Sequence, residues 1–160
     1  MSRIYKVLFG DSAGGVAVSA AQDLIQITGA SGKMLRILHR WVGSVDTTIP
    51  TAQMIQLRER LLPATVTNGS GGSTPTIYKM DPGDASASFT ALANNTTKAT
   101  TSGTASESFA TGVHIYNGFD DEYVSPPVIG PSEAWVFELL STVSGTVHLS
   151  GGVLVEEIGG

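Results

Sequence analysis

The chain contains no cysteine. Disulfides, thiolate metal sites and cysteine nucleophiles are therefore excluded, and folding in a reducing compartment is compatible with the composition. Charge is also scarce: Asp, Glu, Lys and Arg make up 14% of 160 residues, against roughly 25% in ordinary soluble domains. Long apolar runs are missing, and no stretch approaches the roughly 20 residues of a helical membrane span. The early run Val7-Leu8-Phe9 is too short for the core of a secretory leader, and Asp11 follows at once, so neither leader nor membrane association is expected. A net charge of −5, with no basic patch interleaved with aromatics, argues against nucleic-acid binding.

What is present is enough for a core. Hydrophobic residues reach 41%, which separates the chain from wholly disordered compositions. Its length suits one domain that buries about 70% of its unfolded surface. The apolar residues come in short alternating runs. Residues 16–28 (VAVSAAQDLIQIT) place Ile25 and Ile27 on one face. Residues 33–42 (KMLRILHRWV) place Leu35, Ile37, His39 and Trp41 on one face and Arg36 and Arg40 on the other, which reads as a half-exposed strand. Residues 54–62 (MIQLRERLL) alternate Ile55, Leu57, Glu59 and Leu61 with Gln56, Arg58 and Arg60. A strand is favoured there over a short helix, because Pro63 and a glycine-rich tract end it. Residues 134–140 (AWVFELL) and the closing VLVEEI run are further strands, and Asn117-Gly118 is a hairpin signal.

The middle of the chain differs. Residues 63–112 are dense in Thr, Ser, Gly, Ala and Asn and poor in large apolar side chains. The expected organisation is a single β domain over residues 1–160, with residues 1–12 as an N-terminal arm and residues 63–104 as a polar, loop-rich insertion. Eight to ten strands and no long helix imply an all-β antiparallel sandwich, jelly-roll-like, with long polar loops or an extended arm.

Charge is uneven along the chain. Residues 1–60 carry seven basic side chains against four acidic ones, and residues 61–160 carry two against ten. Two readings follow: complementary faces that meet in neighbouring copies, or halves that interleave in one fold and cancel in space. Interleaving is favoured, since sandwich strands from both halves usually mix.

Candidate chemistry is thin. His39, His114 and His148 are the histidines, and none has a nucleophile-elbow serine at suitable spacing. The Gly29-Ala30-Ser31-Gly32-Lys33 segment fails the spacing of a phosphate loop. Asp120-Asp121-Glu122 offers hard oxygen donors but lacks a calcium-loop spacing, and a solvated acidic loop is the favoured reading. Trp41, Trp135, Tyr116, Tyr123 and Phe119 could form a sugar platform but read first as core aromatics. No catalytic residue, metal or cofactor is assigned.

Several segments taken together resemble a known family. VAVSAAQDLIQIT, QMIQLRERLLP, KMDPGDASASFTALANNTT and SGTVHLSGGVLVEEIGG are similar to segments of small structural proteins of tailed bacteriophages, over most of the chain. These motifs are structural and imply no reaction. The resemblance implies a virion protein assembled in the host bacterial cytoplasm, a capsid decoration or cement protein that stabilises the head shell. Its partners would be the major capsid protein or other virion proteins, and it would form a homo-oligomer, with a trimer favoured. The alternatives are a tail, collar or head-fibre-base protein, or a carbohydrate-binding β-sandwich module. On the capsid reading, the interface residues are Arg3, Tyr5 and Lys6 in the N-terminal segment, together with the loop from Asn68 to Thr76.

Overall fold

The computed structural model describes residues 2–10 and 14–159. Fourteen strands and no helix are found among them: β1 Ser2–Phe9, β2 Val16–Val18, β3 Gln22–Thr28, β4 Met34–Ser44, β5 Met54–Leu62, β6 Val66–Thr67, β7 Ile77–Lys79, β8 Thr90–Asn95, β9 Thr100–Thr101, β10 Ser106–His114, β11 Phe119–Glu122, β12 Val128–Ile129, β13 Ala134–Leu139 and β14 Val147–Ile158. They form two antiparallel sheets packed as a sandwich. Sheet A has the order β11-β4-β14-β1-β7, with β12 beside β4 and β2 beside β14, and sheet B has the order β10-β5-β13-β3-β8.

The pairing rule behind this order is simple. Of the eight principal strands, the first pairs with the last (β1–β14), the second with the second-last (β3–β13), the third with β11 and β5 with β10. The chain is one long antiparallel ribbon rolled up so that successive pairs fall in alternate sheets, which is the jelly roll. Inward side chains of both sheets fill the space between them. Tyr5, Val7 and Phe9 of β1, Leu35, Ile37 and Val42 of β4, Val153 and Val155 of β14 meet Ile25, Ile27, Ile55, Leu57, Trp135, Phe137 and Leu139 of sheet B. Each such aliphatic or aromatic side chain contributes about 1.5–3 kcal/mol by leaving water.

The insertion at residues 63–104 is folded, and it supplies both sheets. It links β5 to β10, adds β7 to the edge of sheet A and β8 to the edge of sheet B, and pairs β6 with β9 over the outer face of sheet B. Leu62, Ala99, Ala134 and Val136 form a second small core beneath it, joined by Val66 and Ala105. The sandwich thus has a third, partial layer on one side. The segment is held to itself by backbone bonds: Ser70 and Thr97 exchange bonds of 3.0 Å, and Ser73 and Ala93 exchange bonds of 2.9 and 2.8 Å.

Three local expectations are corrected. The segment read as an N-terminal arm is, over Ser2–Phe9, an interior strand of sheet A held between β14 and β7. Its alternation of buried Tyr5, Val7 and Phe9 with more accessible neighbours explains why it belongs in the sheet. The Asn117-Gly118 signal makes no hairpin. β10 lies in sheet B and β11 in sheet A, so the turn, closed by Asn117 N–H to His114 O at 2.9 Å, is a corner between sheets. Gly118 there has φ +66, and a Cβ would stand 2.9 Å from the Val42 carbonyl oxygen, so the corner needs glycine.

The third correction concerns β4. A bulge opposite Leu154 and Val155 inserts one residue, with Ile37 facing Val155 and His39 facing Leu154. Side chains therefore change phase at Leu38, and Arg40 and Val42 follow Leu35 and Ile37 into the core. Arg40, expected on a half-exposed face, is 1% exposed.

Candidate interaction surfaces

The residues expected at an interface do not gather on one surface. Tyr5 is fully buried, its ring edge-on to Phe89 and its hydroxyl donating to the Ala85 carbonyl at 3.0 Å. Burial and the nearby Glu157 carboxylate push that phenol above its ordinary range. Arg3 is half-buried and lies 3.8 Å from Asp84 and 3.9 Å from Glu157. Lys6 rises from the outer face of sheet A, 6.0 Å from the Tyr78 ring. Thr76 is exposed just before β7. Asn68 is on the far side of the sandwich: its Oδ1 accepts from Gln26 Nε2 at 2.6 Å, and the next amide, Gly69 N–H, donates to Gln26 Oε1 at 3.0 Å. The Asn68–Thr76 loop is thus fastened to its own sheet B at its start.

Charged side chains form two networks inside the molecule. In the core, the Arg40 guanidinium pairs with the Glu59 carboxylate across the sandwich and reaches Asp121 Oδ2 at 2.5 Å. It lies over the rings of Tyr123, Phe109 and Phe119 at 3.8, 4.9 and 5.2 Å from their centroids. Tyr123 and Ser108 hydroxyls both donate to Glu59 Oε2. Burial raises the Glu59 pKa, and Arg40, Trp135 and Ser108 offset only part of that. The sequence carried one signal for this site: Glu59 stands on the same face as Ile55 and Leu57, a carboxylate in an apolar row.

The second network lies between sheet B and the insertion. Glu138, fully buried, pairs with Arg58, lies 3.3 Å from Arg60 Nε and 2.9 Å from Lys98 Nζ. Asp23, also fully buried, accepts from the Ala99 amide at 2.7 Å and lies 3.6 Å from Arg60 Nη2. Removal from water dominates at Asp23 and pushes its carboxyl up to about 6, against the opposing pull of the Ala99 amide and Arg60. The pairs of Arg58 and Arg60 with Glu138, with Arg40–Asp121, Arg36–Glu156 and Arg3–Glu157, join bases of the first 60 residues to acids of the remainder. Part of the uneven charge along the sequence is thus paired within one chain, because the rolled ribbon sets early strands beside late ones.

The histidines are spread out. His39 Nε2 is 2.8 Å from Asp120 Oδ1, and its ring lies against Trp41 at 5.0 Å between centroids. His148 Nδ1 is 2.7 Å from Asp46 Oδ1. Ser44 donates to the same carboxylate at 2.8 Å, so Asp46 bridges the serine and the histidine, an arrangement that activates neither as a nucleophile. Burial opposes the charge on Asp46, but the bonds from His148 and Ser44 prevail and hold its carboxyl below the usual range. Asp46 also lines an open hollow of about 350 Å³ with Thr48, Ile49, Pro50, Ile115 and Tyr116. Of the aromatics expected as a sugar platform, Trp135 is fully buried, Phe119 and Tyr123 pack against the core, and Tyr116 alone stands at this hollow. Among the described residues no group of three or more acids and histidines is placed to hold a metal ion, and Asp120 and Asp121 turn to His39 and Arg40.

The two outer faces of the sandwich are unlike. The face of sheet B is partly roofed by the insertion. The face of sheet A is covered by no other segment among the described residues and is partly apolar: Ile4, Glu156, Arg36 and Val128 form one row across it, and Tyr78, Lys6, Leu154 and His39 the next. Ile4, Met34, Tyr78 and Val128 are each more than a third exposed. Arg36 and Glu156 pair at 3.4 Å in its middle.

An all-β jelly-roll sandwich with one partly roofed face is the class this geometry defines. Comparison with family models, with curated proteins and with solved structures finds no match for this chain.

Proposed function

We propose that this chain is a structural protein of a tailed-bacteriophage virion, a decoration protein that binds the head shell. The observation that carries the reading is the asymmetry of the sandwich. The chain's own insertion covers part of one face, and the opposite face, which no described segment covers, presents Ile4, Met34, Tyr78 and Val128 with the Arg36–Glu156 ion pair among them. Several large apolar side chains exposed on one sheet face, interleaved with charged ones, suit a protein contact. The strand order adds support by fold-level analogy, because jelly rolls recur in viral capsid proteins. The resemblance of residues 16–28, 54–62, 81–97 and 150–159 to small phage structural proteins points the same way. Many copies on a symmetric shell would make weak contacts act together.

The test is immunogold labelling of intact virions with antibody to this chain. Gold spread evenly over heads is the expected result. Gold confined to a tail, collar or single vertex would replace the shell assignment by one at that position. Absence from every particle would overturn the virion reading.

A second reading has its own observation: the hollow beside Asp46 and Tyr116 sets an exposed ring and a carboxylate around an open space, the elements of a carbohydrate site. Glycan-array binding that is lost in Tyr116→Ala would support it.

A further inference from the structure

We propose that β10 is a pairing edge for a second copy of this chain, joined antiparallel across a two-fold axis at Thr111. The two sheets have four lateral edges, and three of them are guarded. β7 ends sheet A after only three residues. At the other side of sheet A, β11 carries Asp120, Asp121 and Glu122. In sheet B, β8 has its outer side engaged by Ser73, whose amide and carbonyl bond Ala93. Short length, charge and covering chain are the means by which natural sheets prevent edge pairing.

β10 has none of these along its central part. It is nine residues long, pairs β5 on one side, and among the described residues has no strand on the other. A bulge between Glu107 and Phe109 disturbs its first turn of pairing. From Phe109 to Val113 it is regular and carries neither charge nor proline.

The direction of its free backbone groups follows from alternation. Ile115 N–H bonds to Gln53 O at 3.0 Å on the β5 side. Odd-numbered residues therefore turn their amides toward β5, and Ala110 and Gly112 turn theirs outward. An axis through Thr111 sets Ala110 of one copy opposite Gly112 of the other, twice over. Each such pair exchanges two N–H···O bonds, so the junction closes four. Phe109 then stands opposite Val113 on the core side, where both already pack. On the outer side Ala110 and Gly112 are small and exposed, so neither adds bulk at the junction. The same symmetry brings the Glu107 end of one strand to the His114 end of the other, and no like charges face each other within β10.

A second copy is favoured over an unrelated peptide by this self-complementarity: the run Phe109–Val113 satisfies its own pairing pattern about its centre. The result is one continuous sheet of ten strands shared by two sandwiches. The trimer implied by the family resemblance is not built from this edge, and would need another surface. The acids of β11 lie on the same side of the molecule in the other sheet, so screening by salt should tighten the pair.

The absence of cysteine gives a direct test. Thr111 of the two copies would form a pair without mutual hydrogen bonds, with Cα atoms about 4.5 Å apart, inside the range a disulfide spans. Thr111→Cys is expected to give a disulfide-linked dimer on mild oxidation, while Ser31→Cys, at an exposed turn, does not. Equal cross-linking of the two variants, or none at Thr111→Cys, overturns the proposal. Light scattering on the unmodified chain should give twice the 16.6 kDa of one copy. Ala110→Pro removes an outward amide and no bond to β5. It should return the mass to that of a monomer with unchanged circular dichroism. A monomeric unmodified chain, or a folded Ala110→Pro that stays dimeric, also overturns the proposal. If Ala110→Pro does not fold, the cysteine pair decides alone. None of these outcomes depends on where the protein sits in a virion, so the pairing and the shell reading fail separately.

Discussion

Arg40 is the residue on which the core turns. A guanidinium inside a sandwich is costly to desolvate, and here it is held by Glu59, by Asp121 and by three aromatic faces. The arrangement is asymmetric in consequence. Removing one partner leaves the other charge buried without compensation, which costs about 3–5 kcal/mol, whereas replacing both by apolar groups is often close to neutral. Arg40→Met alone should therefore lower the unfolding free energy by that amount. Arg40→Met with Glu59→Leu should recover most of it. Urea unfolding of the two singles and the double measures this as a coupling energy. A double variant as unstable as the sum of the singles would show that the pair is not a unit.

At the scale of elements, the sequence was legible where burial and alternation agree. Residues 54–62 and 134–139 read as strands because their apolar residues recur at period two, and both are strands of sheet B. The phase of β4 was not legible, since a bulge leaves no mark in composition and moves Arg40 from one face to the other. Asp23 and Glu138 were hidden for a different reason. Their burial depends on the insertion, a segment distant in sequence, and nothing next to them announces a roof. The insertion's composition left its order open. Gly, Ser, Thr and Asn serve a free linker and a hydrogen-bonded cap equally, and only the partners decide. Amide exchange distinguishes the two. The Gly69 and Ala99 amides donate to buried Gln26 and Asp23 side chains, so they should exchange at rates close to those of β3 and β13. Exchange as fast as in an unstructured peptide would make residues 63–104 a mobile loop rather than a fixed cap.

For the molecule as a whole, the buried acids set how stability varies with pH. Asp23 titrates at about 6 in the folded chain, above its ordinary 3.8, and Glu59 is also raised. A carboxyl whose pKa is raised by folding binds its proton more tightly in the native state. Its contribution is therefore fully present below the unfolded pKa and is lost as pH rises through the folded value. Asp46 acts in the opposite sense, because its depressed pKa stabilises the fold above the ordinary carboxylate range and that contribution falls away in stronger acid. Between pH 7.5 and 5 Asp23 and Glu59 act in the same sense, and the depressed pKa of Asp46 keeps it ionised there. Mild acidification should then strengthen the fold by on the order of 1 kcal/mol, which for a chain of this size raises the melting temperature by about 3 °C. Asp23→Asn supplies the control. The amide keeps an oxygen for the Ala99 N–H and carries no charge to desolvate, so the variant should melt higher than the parent at pH 7.5 and vary less between pH 7.5 and 5. Thermal melts of both proteins across that window measure the effect. A parent whose melting temperature falls steadily from pH 7.5 to 5 would mean that Arg60 and Lys98 stabilise the Asp23 carboxylate more than its burial costs, with the buried network a net gain at neutral pH.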